Sequence, residues 1–185
     1  MAATHSVARA ASSPGRLGAY LQCSPEAIRT ALAVIEGATT LAHTRLGEVL
    51  LEGKLISRVE LRAAVQAQRV DRLRGCALFA SLSESDLVRL SEVFEEVTCE
   101  DGEVLIEQDE ADDHLYVIAS GELEVFRVEA GVQSVPVTRL GPGEPAGEMG
   151  FVSRRPRSAS VRSMGRSELL RASFDALRAA VEAIP

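Results

Sequence analysis

Residues 143–161 read GEPAGEMGFVSRRPRSASV, and two side chains nine positions apart in this stretch have the chemistry to hold a phosphorylated ligand. Gly147-Glu148 sets a carboxylate directly after a residue whose backbone can approach a ligand closely. Arg157 offers a planar fork of donors that suits a phosphate. Residues 148–152 can make one helical turn whose first amides favour an anion. A ligand carrying a ribose hydroxyl near a phosphate would use the whole set, the carboxylate accepting from the hydroxyl while the guanidinium neutralises the phosphate. Other reactive material is sparse. Cys23, Cys76 and Cys99 form no CxxC and have no His at a catalytic spacing, and the three histidines are isolated. No catalytic residue and no metal site is expected, and His43 and His114 read as ordinary structural or surface residues.

The elements around this stretch follow from periodicity. After an Ala- and Ser-rich tail over residues 1–15, the pattern to residue 75 is helical. Ser24 caps a helix with Pro25 at its first position and Ile28, Leu32 and Ile35 on one face. A shorter helix is expected over roughly 41–52, ending at Gly53. Ser57-x-x-Glu60 is a capping box opening a third. Arg16-Leu17-Gly18 recurs as Arg45-Leu46-Gly47, so the segment looks internally repeated. Beyond residue 78 the period changes. Ser83 opens a helix with Leu87, Leu90 and Val93, and strand-like runs follow at 103–107, 115–119, 122–128, 135–140, 160–163 and 169–171, separated by Gly and Pro turns. Ser173 caps a last helix. The spacing predicts an α+β chain, a small helical bundle over 16–75 followed by an antiparallel, jelly-roll-like β-roll with flanking helices over 76–185.

Composition narrows the function classes. The chain has 185 residues, 46% hydrophobic and 25% charged, an ordinary globular balance. No apolar run approaches the ~18 residues of a membrane span, and the N-terminus lacks the apolar core of a signal peptide. With three cysteines that cannot all pair, this points to a reducing cytoplasm and no membrane insertion. The net charge of −7 is uneven: residues 1–75 carry ten Lys/Arg against six Asp/Glu, residues 76–185 ten against twenty-one. The acidic second half argues against a nucleic-acid surface.

The second half resembles a cyclic-nucleotide-binding domain of the type in cAMP receptor proteins and protein-kinase regulatory subunits. The resemblance runs through LFASLSESDLVRLSEVFEEV and DGEVLIEQDEADDHLYVIASGELEVFR to the cassette AGEMGFVSRRPRSASV. It implies that Glu148 binds the ribose 2′-hydroxyl and Arg157 the cyclic phosphate of cAMP or cGMP. Gly147, Met149 and Ser158 would complete the phosphate cradle, Val161 would pack on the purine, and Ser160 lies on the same strand. Two departures stand out: Ala146 occupies a usually aromatic position, and the sequence stops where the family's lid helices continue, so that residues 16–75 or a partner would have to cover the base.

Residues 16–70, above all RLGEVLLEGKLISRVELRAAVQAQ, are similar to the N-terminal domain of type II secretion and type IV pilus-assembly ATPases. Some members of that family bind cyclic di-GMP. The plainer reading is a helical module that docks a protein partner or self-associates. The whole chain is expected to be a non-enzymatic cyclic-nucleotide sensor needing no cofactor. The alternatives are an adaptor whose roll no longer binds ligand, a cyclic di-GMP-responsive helical module, and a cupin-like metalloenzyme.

Overall fold

The computed structural model describes residues 16–37, 46–128, 134–153 and 155–184, which divide into two compact units, Met1–Asp71 and Arg72–Pro185. No described helix is long and apolar enough to cross a membrane. The tail over 1–15 and the motif residue Arg45 lie outside the described residues.

The first unit is built from local capping. A short 3₁₀ turn, Leu17–Ala19, precedes α1 (Pro25–Gly37), where the Ser24 hydroxyl accepts from the Ala27 N–H at 3.2 Å. Helix α2 (Leu46–Glu52) is followed by α3 (Arg58–Arg74). The capping box at the start of α3 forms in both directions, the Ser57 N–H donating to the Glu60 carboxylate at 2.7 Å and the Glu60 N–H to Ser57 Oγ at 3.2 Å. A core of Leu21, Ala31, Leu50, Ile56 and Ala64 closes the unit. Gly47 shows what the Leu-Gly motif does here, because a Cβ at that position would lie 2.6 Å from Leu61 Cδ1. The glycine lets helices pack closely.

In the second unit, α4 (Glu84–Ser91) is capped by Ser83, whose hydroxyl accepts from the Asp86 N–H at 3.3 Å. Eight antiparallel strands follow: β1 (Glu95–Cys99), β2 (Val104–Ile106), β3 (His114–Ser120), β4 (Leu123–Arg127), β5 (Val135–Leu140), β6 (Pro145–Ala146), β7 (Ser160–Ser163) and β8 (Ser167–Ser173). They form two four-stranded sheets ordered β1-β8-β3-β6 and β2-β7-β4-β5. Between β6 and β7 lies α5 (Glu148–Ser153), and α6 (Phe174–Glu182) ends the unit, its N-cap Ser173 accepting from the Ala176 N–H. Mixed helices and an antiparallel roll agree with the expected fold class. Six of the expected strands are present, while β1 and the two-residue β6 were not expected. The core joins Cys99, Ile106, Tyr116, Ile118, Leu123, Ala146, Val161 and Leu169, drawn from every strand except β5, so the interior is the space between the sheets. Burial, reinforced by the charges of Glu103 and Glu100 and opposed by that of Arg171, pushes the Cys99 thiol up to about 11.

Candidate functional site

The site forms where β6 passes through Gly147 into α5 and where the chain returns before β7. Gly147 has φ +88°, and a Cβ there would lie 2.7 Å from Arg157 Nη1 and 2.9 Å from the His114 carbonyl oxygen. One turn later a Cβ on Gly150 would also stand 2.7 Å from Arg157 Nη1. Both glycines therefore bring the cassette backbone flush against one guanidinium.

The backbone of Arg157 is fixed to the turn before β3. Its N–H donates to the Glu110 carbonyl at 3.0 Å, and its carbonyl accepts from the Asp109 N–H at 2.9 Å. The side chain runs inward and is only 4% exposed. Nη1 donates to the Gly147 carbonyl at 2.8 Å, and Nη2 donates to Asp112 Oδ2 at 2.7 Å and to the His114 carbonyl at 2.5 Å. The guanidinium also lies over the Phe174 ring, 5.1 Å from its centroid. Nε is buried and has no partner among the described residues. A buried donor left unpaired costs about 1–3 kcal/mol, so this N–H is one that an acceptor would satisfy.

Asp112 ties the arginine to a histidine. Its Oδ1 lies 2.8 Å from His114 Nδ1, which is also 3.2 Å from Asp113 Oδ1. Burial pushes the Asp112 carboxyl up, but the hydrogen bonds and charges of His114 and Arg157 outweigh it and hold the group below the usual carboxylate value. Asp112, Asp113 and His114 are the described cluster that could hold a metal ion, and their nearest donors and acceptors are spent on one another and on Arg157. The sequence reading places neither Asp112 nor His114 in the site, and it reads His114 as an ordinary structural or surface residue. The acidic run EQDEADD facing an arginine 45 residues later was the signal available.

The other expected site residues divide by location. Glu148 opens α5 half-buried, and its carboxylate has no partner among the described residues. Met149 is 62% exposed, and Ser158 is exposed on the loop after Arg157. Ser160 is buried on β7, where its hydroxyl accepts from the Gln108 N–H at 2.9 Å. Val161, 5% exposed, belongs to the core between the sheets. The structure thus gathers Gly147, Glu148 and Arg157 at one place and sets Ser160 and Val161 on the adjoining strand. Arg162, part of the same arginine-rich stretch, is instead paired with Glu124 at 2.5 Å and stacked over Phe126.

In the helical unit a cavity of about 590 Å³ is lined among others by Leu51, Leu55, Glu52, Lys54, Arg58 and Glu60. Its two cations are balanced by its two carboxylates, so it has no net positive field for a dianionic ligand.

The chain thus places a short helix over a buried arginine at the edge of a two-sheet roll. Comparison with known proteins gives a partial match: residues 96–183, 88 of the 185, match the model of the Cyclic nucleotide-binding domain family. The cAMP-dependent protein kinase regulatory subunit of Dictyostelium discoideum is 27% identical over 72% of this chain and 44% of its own length. The Cyclic AMP receptor protein of Thermus thermophilus is 32% identical over 53% of this chain and 45% of its own. This chain therefore spans less than half of those relatives. Among solved structures, the regulatory domain of Toxoplasma gondii PKA with cAMP has 30% identity and a TM-score of 0.59, covering 62% of this chain and 44% of that one. The expected resemblance of residues 16–70 to secretion and pilus-assembly ATPases finds no support in these comparisons.

Proposed function

We propose that this chain is a non-enzymatic, cytoplasmic cyclic-nucleotide sensor. Its roll takes cAMP or cGMP, with Arg157 on the cyclic phosphate and Glu148 on the ribose 2′-hydroxyl, and passes the binding event to the helical module and through it to a protein partner or a second copy. Gly147, Met149 and Ser158 border the phosphate, and Ser160 and Val161 lie on the strand beside the base. The observation that carries the reading is the Nε–H of Arg157, a buried donor without an acceptor among the described residues, on an arginine clamped on its other side. A phosphate oxygen supplies the missing acceptor. The Glu148 carboxylate, covalently next to Gly147 and without a partner among the described residues, is the matching acceptor for a hydroxyl.

Calorimetric titration of the full chain with cAMP, with cGMP as comparator, tests the proposal. The expected result is one site per chain at micromolar affinity or tighter. Each charge-assisted contact contributes about 1.5–3 kcal/mol, so Arg157→Ala and Glu148→Ala are each expected to weaken binding roughly ten- to a hundredfold. No heat with either nucleotide, or equal affinity in the Arg157→Ala protein, overturns the reading and favours an adaptor with a silent roll.

A further inference from the structure

We propose that Ser158 is a phosphorylation site, modified by a serine kinase that reads arginine ahead of its acceptor, and that the phosphoserine closes the cassette to an anionic ligand. The closing rests on the cyclic-nucleotide reading of the site; the modification stands apart from it.

Three of the four residues before Ser158 are arginines, Arg154, Arg155 and Arg157. The proposed ligand site employs Arg157 alone, and that side chain is buried. Arg155 is exposed, and its guanidinium has no partner among the described residues. Charge placed ahead of the acceptor is a pattern by which kinases choose their substrates. The loop is also open to such an enzyme. Pro156 is exposed and has no N–H, and the Arg155 N–H bonds within its own segment, to Ser153 Oγ at 3.3 Å. Among the described residues, the backbone of 155 and 156 makes no bond to a strand.

Ser158 differs from the other serines that accompany arginine in this unit. It is exposed on the loop between α5 and β7, and its hydroxyl has no partner among the described residues. Ser163 and Ser167, which directly follow Arg162 and Arg166, are fully buried, and Ser163 Oγ donates to Ser167 Oγ at 2.8 Å. Ser160 is buried too, and its hydroxyl accepts from the Gln108 N–H. Ser173 is occupied as the N-cap of α6. A hydroxyl held in the interior or in a cap is out of reach of a second enzyme, which leaves Ser158.

The transfer needs ATP and the kinase. Ser158 Oγ attacks the γ-phosphorus, the bond from that phosphorus to the bridging oxygen breaks, and ADP leaves with the electron pair. The hydroxyl proton passes to the catalytic base of the kinase. A neutral hydroxyl is thereby replaced by a group of charge about −1.5 to −2 with three acceptor oxygens. It stands one peptide from the guanidinium that receives the ligand phosphate in the proposed function. The new oxygens compete for arginine donors, and their charge repels an incoming cyclic phosphate.

Two measurements on the full chain test this. In the first, the chain is incubated with ATP and the isolated catalytic subunit of an arginine-directed serine kinase, and the modified residue is located by mass spectrometry. Native protein is expected to take one phosphate at Ser158, Ser158→Ala none at that position, and Arg155→Ala to be modified about tenfold more slowly. A chain left unmodified at Ser158 overturns the proposal, even where it binds nucleotide. In the second, cAMP affinity is compared before and after phosphorylation and again after phosphatase treatment. Phosphorylation is expected to weaken binding about ten- to a hundredfold, and its removal to restore it. By linkage, saturating cAMP should protect Ser158 from the kinase. Equal affinity in the two forms overturns the closing of the site. Phosphorylation at Ser158 in a chain that binds no cyclic nucleotide in either form removes the proposed function and leaves the modification standing.

Discussion

Gly102 and Gly147 have similar left-handed backbones, φ +77° and +88°, but different surroundings. A Cβ on Gly102 meets nothing within 4 Å, so Gly102→Ala carries only the conformational penalty, about 1–2 kcal/mol. At Gly147 the same atom would press on Arg157 Nη1 and on the His114 carbonyl, and the carbonyl cannot swing away because it belongs to a paired strand. Gly147→Ala is therefore expected to destabilise by more than Gly102→Ala, by roughly 2–3 kcal/mol, and also to weaken cyclic-nucleotide binding. Gly102→Ala should leave affinity unchanged. Paired thermal melts and titrations of the two variants check this, and equal losses in both would mean that the contact at Gly147 is unimportant.

At the scale of elements, the cassette helix is held from its far end by α6. Arg178 lies 5.2 Å over the ring of Phe151 and donates to the Phe151 carbonyl at 3.2 Å, close to the end of α5. Phe151 in turn meets Phe174 edge-on at 5.4 Å, and Phe174 lies under the Arg157 guanidinium. Cation–π contacts of this kind contribute about 0.5–1 kcal/mol and a carbonyl hydrogen bond about 1. Arg178→Ala is expected to lower stability by about 1–2 kcal/mol and to weaken nucleotide binding a few-fold, although Arg178 is not expected to touch the ligand. A melt and a titration on the same variant read both, and an unchanged affinity would uncouple α6 from the cassette. This stack was not legible in the sequence, because it depends on which aromatic residue the fold returns to the cassette. The helix starts were legible because capping is local, as the reciprocal bonds of Ser57 and Glu60 show. Most strands were legible because alternation and glycine turns are local too. Strand β1 was not: no glycine turn separates Glu95 and Glu96 from the helix before them, and their strand conformation comes from pairing with β8, where Glu95 meets Arg171 76 residues away. For the same reason Glu148 and Arg157 could be found from one short motif, while Asp112 and His114 needed the sheet to bring their turn against it.

At the scale of the whole molecule, coupling between the roll and the helical unit has a thermodynamic test that requires no knowledge of the output partner. If nucleotide binding changes the state of residues 16–71, linkage requires that those residues change the affinity for nucleotide by the same factor. The second compact unit begins at Arg72, whose guanidinium meets Glu168 on β8 at 3.0 Å, and Leu73 is fully buried. A shortened chain should therefore start at residue 72 rather than at 76, where it would lose both. Coupling of the usual size, about 1–3 kcal/mol, predicts that such a chain binds cAMP roughly five- to 150-fold differently from the full chain, more weakly if the helical module also covers the base. A melt of the shortened chain establishes that it folds, and the two titrations give the coupling directly. Equal affinities would mean that the helical unit receives no free energy from the ligand, and the module would then act as a tether or docking piece beside an autonomous sensor.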